Sequence, residues 1–306
     1  MLVIDPDKTP TPQLHQYLVG SVAPRPIAFV STLDAEGRPN LAPYSFFNVF
    51  SSNPPIAVFS SNRRVSDNTT KDTLHNARAT GEVVINVVSH AIVRQAALCS
   101  VDYPPEVSEF EKAGLTPLPS DLVKPFRVQE SPVQMECRVE QIIPLGEEGG
   151  AGNLIVCRIL RIHLDPRVLD EQGNIDPHKM DLMGRMGRAF YVRASGAAVH
   201  KIFQPVDRLG IGFDQLPEAL RHSPVLTGNE LARLAALTEP PSEASIRKAL
   251  ELPEVQQCLQ GQNPSEALQR LVQQWLETGD SEADVQRAAA VAWLSARPPK
   301  VDTAQD

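Results

Sequence analysis

The chain has 306 residues, 42% of them hydrophobic and 22% charged, with a formal net charge of −8. That is the mixture of an ordinary globular protein, and the acidic excess gives no electrostatic support to a nucleic-acid or anionic-membrane role. No apolar run approaches the ~20 residues of a membrane span, the N-terminal MLVIDPDKTPTPQ lacks the basic region and apolar core of a signal peptide, and the four cysteines are scattered with no CxxC pair. A cytoplasmic protein with reduced thiols follows, without a zinc site, another metal centre or a disulfide framework.

At about 150 residues per domain, the length predicts two domains. Residues 1–20 are proline-rich, then weakly helical around Leu14–Leu18, and read as an arm. Ile27–Leu33, Ala42–Phe50 and Ile56–Ser61 are rich in β-branched and aromatic residues and read as three strands. Asp34-Ala-Glu-Gly37 supplies a turn between the first two. Thr69, with Asp72 three residues on, predicts a capping box opening a short helix that places Leu74 and Ala77 on one face. Glu82–Val88 reads as a strand, His90–Leu98 as apolar at helical spacing, and Val107–Ala113 as a short helix stopped by Gly114. Leu115–Val123 is a proline-punctuated loop. Val133–Ile143 and Leu154–Leu164 alternate well, and the glycine-rich loop Gly146–Gly152 makes them a hairpin. Met180–Val192 reads as an irregular segment ending in a strand-like run.

At least six strands with only short helices between them predict an α+β fold built on a mostly antiparallel barrel, because a doubly wound sheet needs a long crossover helix after nearly every strand. From about Val206 the composition turns to Ala, Leu, Glu and Gln, with nine basic and fifteen acidic side chains in 206–306. Thr227-Gly-Asn-Glu230 is a capping box, Asn263-Pro264 starts a helix that Gly279 stops, and Asp280/Ser281 starts another that Pro298-Pro299 ends. This predicts a barrel domain over 1–205 and an acidic all-α domain of four to six short helices over 206–306, with Lys300–Asp306 frayed.

The chain has no HExxH, GxSxG, GxxxxGK[ST] or GxGxxG motif, and its seven histidines are dispersed. His75 and His163 read as solvated or hydrogen-bonded, since neither has the orienting partner that a general base needs. Cys137 and Cys157 read as small buried hydrophobes. What remains is a ligand site. Ser45, Asn48, Ser51, Ser52, Asn53, Ser60, Ser61 and Asn62 cluster around strand ends, followed by Arg63, Arg64 and the helix start at Thr69–Thr73. Such donors suit a phosphate dianion. They equally suit turn formers and a solvated basic face.

Arg25-Pro-Ile-Ala-Phe-Val-Ser-Thr, Gly37-Arg-Pro-Asn-Leu-Ala-Pro-Tyr-Ser-Phe-Phe, Asn53-Pro-Pro, Lys71-Asp-Thr, Gly81-Glu-Val-Val-Ile-Asn, Glu130-Ser-Pro and Asp181-Leu-Met-Gly-Arg-Met-Gly-Arg-Ala-Phe-Tyr occur in that order. In these motifs residues 10–195 resemble the flavin-reductase-like FMN-binding split-barrel family, in the branch of flavoredoxins and the small component of nitrilotriacetate monooxygenase. Residues 206–306 have no counterpart in that resemblance.

The resemblance implies a homodimer of six-stranded split barrels holding FMN, with FAD as a second candidate, and NAD(P)H as reductant. It implies Ser45, Phe46, Phe47 and Asn48 along the flavin edge, one of the two phenylalanines being core. It implies Ser60, Ser61 and Arg63 at the ribityl chain and phosphate, and Lys71 and Thr73 completing the phosphate cradle, with Asp72 the helix-cap acid. Arg185 and Tyr191 would close over the ring or serve the nicotinamide. The implied activity is hydride transfer from nicotinamide to flavin, which needs no obligatory protein acid or base, with reduced flavin passing to a partner monooxygenase or to a substrate. A non-enzymatic FMN-binding electron carrier and an interaction protein using its helical tail are the alternatives.

Overall fold

The computed structural model describes residues 1–202, 208–279 and 281–297. The expected domain boundary at 205/206, the Asp280 start, the Pro298-Pro299 stop and the frayed 300–306 lie outside them. The chain divides into two units, Met1–Val199 and His200–Asp306.

The first unit opens with helix α1 (Thr11–Ser21), then strands β1 (Ala28–Leu33), β2 (Pro39–Tyr44), β3 (Phe47–Ser52) and β4 (Pro55–Ser60). Helix α2 (Asp72–Thr80), strand β5 (Glu82–Val87) and helices α3 (Val93–Leu98) and α4 (Glu109–Ala113) follow. A two-residue ladder joins β6 (Pro117–Leu118) to β7 (Arg127–Val128) within the proline-rich loop. The long strands β8 (Val133–Pro144) and β9 (Asn153–Leu164), helix α5 (Pro177–Met180) and the hairpin β10 (Leu182–Arg185)–β11 (Tyr191–Ala194) complete the unit.

The main sheet has seven strands in the order β2-β1-β5-β8-β9-β4-β3, not the six expected, and it is not a closed barrel. The run Ala42–Phe50, read as one strand, is two strands broken at Ser45-Phe46. Those two strands are the opposite edges of the sheet. Laid flat, seven strands would hold their edges roughly 29 Å apart, whereas the three steps from Tyr44 to Phe47 span at most about 11 Å. The sheet therefore has to curl until its edges nearly meet. Because β2 pairs only with β1 and β3 only with β4, the curled sheet stays split along the Ser45-Phe46 seam.

Alternation on β1 serves two cores. Ala28 and Val30 point into the cluster enclosed by the sheet, with Tyr44, Ala57, Phe59, Ile85, Cys137, Ile155 and Cys157. Ile27 and Phe29 point to the outer cluster, which Ile92, Phe110 and Leu115 cover. Cys137 and Cys157 are fully buried free thiols, and burial pushes Cys137 up to about 12. The β1–β2 turn forms as expected: Gly37 sits at φ +83°, and the Asp34 carboxylate accepts the N–H groups of Glu36 and Arg38 at 3.0 and 2.8 Å. The expected capping box at Thr69 does not form. Thr69 donates its hydroxyl to Asp67 at 2.7 Å, and α2 begins at Asp72 with Lys71 in the cap position.

The second unit contains α6 (Glu218–Arg221), α7 (Gly228–Ala235), α8 (Glu243–Leu250), α9 (Pro253–Leu259), α10 (Pro264–Thr278) and α11 (Glu282–Ser295). Capping boxes start α7 (Thr227, Glu230) and α11 (Ser281, Asp284), and Pro264 occupies the first position of α10. Leu220, Leu234, Val255, Val272 and Val291 belong to a core of its own. No helix among the described residues is long and apolar enough to cross a membrane.

Candidate functional site

At the end of β4 the chain turns towards α2 through a tightly held loop. Ser60 and Ser61 are buried. Ser61 and Asn153 exchange main-chain hydrogen bonds of 3.1 and 3.2 Å, and the Ser60 hydroxyl donates to Asn62 Oδ1 at 2.8 Å. The glycines of the β8–β9 loop let this segment approach. A Cβ on Gly152 would stand 2.7 Å from Ser60 Oγ, and one on Gly149 would stand 3.0 Å from the Arg64 carbonyl.

Two adjacent arginines then fix the loop. Arg63 donates to the side chain and carbonyl of Asn68, both at 2.6 Å. Arg64 forms a two-pronged pair with Asp102 at 3.1 and 2.8 Å and donates to Thr69 Oγ1 and the Thr70 carbonyl at 3.0 and 2.9 Å. The Arg64 hydrogen bonds hold the Asp102 carboxyl below the usual carboxylate range. Arg64 thereby ties the end of β4 to the segment before α2; Ser61 and Thr73 meet at Tyr44 and Lys71 lies over the Tyr44 ring, whereas the Arg63 side chain is turned to Asn68.

The start of α2 gathers buried hydroxyls. Thr73 Oγ1 accepts Asn40 Nδ2 at 2.9 Å, and its hydroxyl faces that of Tyr44. Asn40 also donates to Thr32, which accepts Asn76 as well, so a buried chain of amides and hydroxyls fixes that orientation. The Tyr44 hydroxyl is buried among those of Thr73 and Ser61, and neither it nor Ser61 Oγ makes a well-formed hydrogen bond among the described residues. Burial foremost pushes the Tyr44 phenol up to about 12, against hydrogen bonding from Thr73 and Ser61 that lowers it, so it is a neutral hydroxyl. The Lys71 ammonium lies 5.8 Å from the centre of the Tyr44 ring and has no ion-pair partner among the described residues. Asn40, Tyr44, Arg64, Lys71, Thr73 and Asp102 line a cavity of about 90 Å³. Neutral hydroxyls, an ammonium and the first N–H groups of a helix suit a phosphate.

The seam residues divide by direction. Phe47 packs against the inner core, as one of the pair was expected to. Phe46 turns outward between His15, at 6.1 Å ring to ring, and the Arg25 guanidinium, 6.0 Å from its ring centre. Ser45 is half-buried. Asn48 is exposed and accepts the Val49 N–H at 2.8 Å, so its side chain is not gathered with the others. The β10–β11 hairpin docks beside Phe46: Arg25 and Arg185 exchange main-chain bonds of 2.9 Å each way, and the Arg185 guanidinium stacks 4.6 Å from the Tyr191 ring.

Sequence reasoning missed Tyr44, Asn40 and Arg25 as site residues. Tyr44 and Arg25 stood inside the quoted motifs, but nothing local announces a buried hydroxyl cluster or a buried guanidinium. It also missed a contact on the far side of β8. His163 Nε2 lies 2.6 Å from the buried Glu136 carboxylate, which also accepts the N–H groups of Asp121 and Leu122 at 2.9 and 2.6 Å. Asp121, Glu136 and His163 are close enough to share a cation, yet Arg161 already pairs with Asp121 at 2.6 Å. The group is a satisfied latch holding the 119–122 loop to the sheet.

Residues 20–180 match the family model described as flavin reductase like domain, which is more than half of the chain. A protein of Aquifex aeolicus is 39% identical over 189 residues, 62% of this chain and 94% of that one. The crystal structure of nitrilotriacetate monooxygenase component B from Bacillus cereus is similar at 32% identity and a TM-score of 0.61, covering 67% of this chain and 98% of that one. The Pseudomonas fluorescens 2-nitrobenzoate 2-nitroreductase NbaA is similar at 28% identity and a TM-score of 0.58, covering 66% and 96%. With this match over more than half of its length and its curled, split sheet, the chain belongs to the flavin reductase like domain family.

Proposed function

We propose that the first unit is an NAD(P)H:flavin oxidoreductase that holds FMN with its phosphate at the start of α2. The observation that carries this reading is the buried cluster of the Tyr44, Ser61 and Thr73 hydroxyls at the start of α2, with the Lys71 ammonium over the Tyr44 ring and without an ion-pair partner among the described residues. Ser61, Thr73, Tyr44 and Lys71 would hold the phosphate, and Arg63 and Arg64 would keep the loop closed beneath it. FAD shares the ring and one phosphate and would have to extend its second half beyond this cavity, which favours FMN.

When bound, the flavin supplies a hydride acceptor, which is why the chain needs no nucleophile or obligatory acid–base pair. The contribution of the chain is alignment. Phe46 and the Ser45-Phe46 peptide would border the ring, and the Arg185–Tyr191 stack would face it from the hairpin. The β3 edge leaves Val49 and Phe50 exposed, an unpaired edge with apolar side chains that favours a homodimer. Likeness to a monooxygenase component B favours delivery of reduced flavin to a partner oxygenase. Free, buried thiols accord with a reducing cytoplasm. The helical unit is proposed as a separate domain that does not contribute to the flavin site.

The test is the visible spectrum of the purified protein with FMN, followed by anaerobic addition of NADH and of NADPH. Bleaching with repeated turnover on readmission of air is expected. Tight FMN binding that neither donor bleaches would replace the reductase reading with an electron carrier.

A further inference from the structure

We infer that the Arg64–Asp102 ion pair sets the specificity of the cavity at the start of α2, limiting it to a ligand that ends in one phosphoryl group and turning away the diphosphate of FAD. The inference rests on the flavin reading above and deepens it: the choice between the two flavin nucleotides falls to a pair that closes the cavity, not to the groups that would hold the phosphate.

Three segments line the cavity: β2 through Asn40 and Tyr44, the chain leading into α2 through Arg64, Lys71 and Thr73, and residues 99–103 after α3. Arg64 joins the last two. Its guanidinium takes both oxygens of Asp102, at 3.1 and 2.8 Å, across 38 residues of sequence. From the other side it is held by Thr69 Oγ1 and the Thr70 carbonyl. A planar fork makes both bonds to a carboxylate in one orientation only, so the pair fixes the spacing of the two segments. Among the described residues no other hydrogen bond joins residues 100–107 to the loop before α2.

The pair stands at the mouth. Tyr44, Thr73, Cys99 and Glu109 on the cavity wall are all buried, whereas the side chain of Asp102 is 63% exposed and that of Arg64 24%. The cavity closed in this way measures about 90 Å³. A site that encloses a whole drug-sized ligand takes ~300–1,000 Å³, so there is room for a compact terminal group and none for a second phosphoryl with its ribose and adenine. Those parts of FAD would have to pass where Arg64 and Asp102 meet.

Charge points the same way. Two cations line the cavity, Arg64 and Lys71, against the carboxylates of Asp72, Asp102 and Glu109. Arg64 is engaged by Asp102, whose carboxyl it holds below the ordinary range and therefore ionised at neutral pH. Lys71 has no ion-pair partner among the described residues. One phosphate matches that one free ammonium and the first N–H groups of α2. A second phosphoryl would find no free cation and would face the Asp102 carboxylate. Repulsion of the wrong ligand is as much a source of specificity as attraction of the right one. Removing the carboxylate reverses both effects. It releases residues 100–107 from the loop, and it frees a guanidinium, already seated by Thr69 and Thr70, to take the second phosphoryl as a forked pair.

The test titrates the full chain and its Asp102→Ala variant with FMN, FAD and riboflavin, following flavin fluorescence. The unaltered protein is expected to bind FMN at least tenfold more tightly than FAD. Asp102→Ala should narrow that ratio at least fivefold, chiefly by a gain in FAD affinity. A partly exposed ion pair adds little to stability, so the variant should keep its thermal midpoint; Asp102→Asn, which removes the charge and keeps the shape, decides the matter if Asp102→Ala misfolds. Equal affinity of the unaltered protein for FMN and FAD, or an unchanged ratio in the folded variant, overturns the inference. Riboflavin separates it from the reading beneath it. Preference for FMN over riboflavin, with an FMN-to-FAD ratio that ignores Asp102, would remove the specificity pair and keep the phosphate seat. Equal binding of FMN and riboflavin would remove both.

Discussion

The Ser60 N–H donates to the Phe46 carbonyl at 2.8 Å. That bond joins the last residue of β4 to the two-residue seam between the sheet edges. It therefore connects the donors at the start of α2 with the aromatic and guanidinium groups around Phe46. Anything that displaces Ser60 should be felt at both ends.

Gly152→Ala does this most simply. The new Cβ would stand 2.7 Å from Ser60 Oγ and 3.4 Å from Asn62 Oδ1, so Ser60 must rotate and surrender its bond to Asn62. FMN affinity is expected to fall about tenfold, ~1.4 kcal/mol, with little change in thermal midpoint. Flavin fluorescence quenching measures the first and thermal unfolding the second. An unchanged FMN affinity would separate Ser60 from the site.

Glu136 predicts a pH dependence of stability. Burial alone would raise its carboxyl, but the N–H groups of Asp121 and Leu122 and the His163 ring outweigh burial and hold it below the ordinary glutamate value. A depressed folded value stabilises the protein above the unfolded value, and that contribution is lost as pH falls through the folded one. Glu136→Gln should cost about 2 kcal/mol at neutral pH, and the difference should shrink as pH drops below ~4. Denaturant titrations at pH 7 and pH 3.5 check this. A deficit that persists undiminished in acid would mean that the ionised carboxylate contributes nothing.

Each unit has its own core, and the matched family model ends at residue 180. A chain ending at Val199 is therefore expected to fold and to bind FMN within about twofold of the full protein, as circular dichroism and flavin titration would read. Loss of flavin binding on truncation would make the helical unit part of the site.

Much of the fold was legible because β1, β4, β8 and β9 carry their β-branched residues in the runs the ladder uses, and because Thr227/Glu230 and the Ser281 start announce their helices within four residues. The errors share a cause. Ala42–Phe50 reads as one strand because Tyr44 and Phe47 are as apolar as their neighbours, and only the closure of the sheet decides that the chain must change edges at Ser45-Phe46. Thr69 reads as a cap because Asp72 lies at the right spacing, but Asp67 and Arg64 claim its hydroxyl first. The donors of the candidate site were named from the Lys71-Asp-Thr and seam motifs. The buried meeting of the Tyr44, Ser61 and Thr73 hydroxyls, the buried Arg25 guanidinium beside Arg185, and the Glu136–His163 contact across 27 residues arise only when distant segments meet.

The central claim is that the start of α2 binds the phosphate of a flavin mononucleotide. It is tested most directly by titrating the protein, and its Lys71→Ala variant, with FMN and with riboflavin, which lacks the phosphate. The unaltered protein is expected to bind FMN at least about 100-fold more tightly, ~2.7 kcal/mol. Lys71→Ala should erase most of that difference while leaving riboflavin affinity unchanged. Equal affinity for the two flavins, or equal loss of both in Lys71→Ala, would contradict the account.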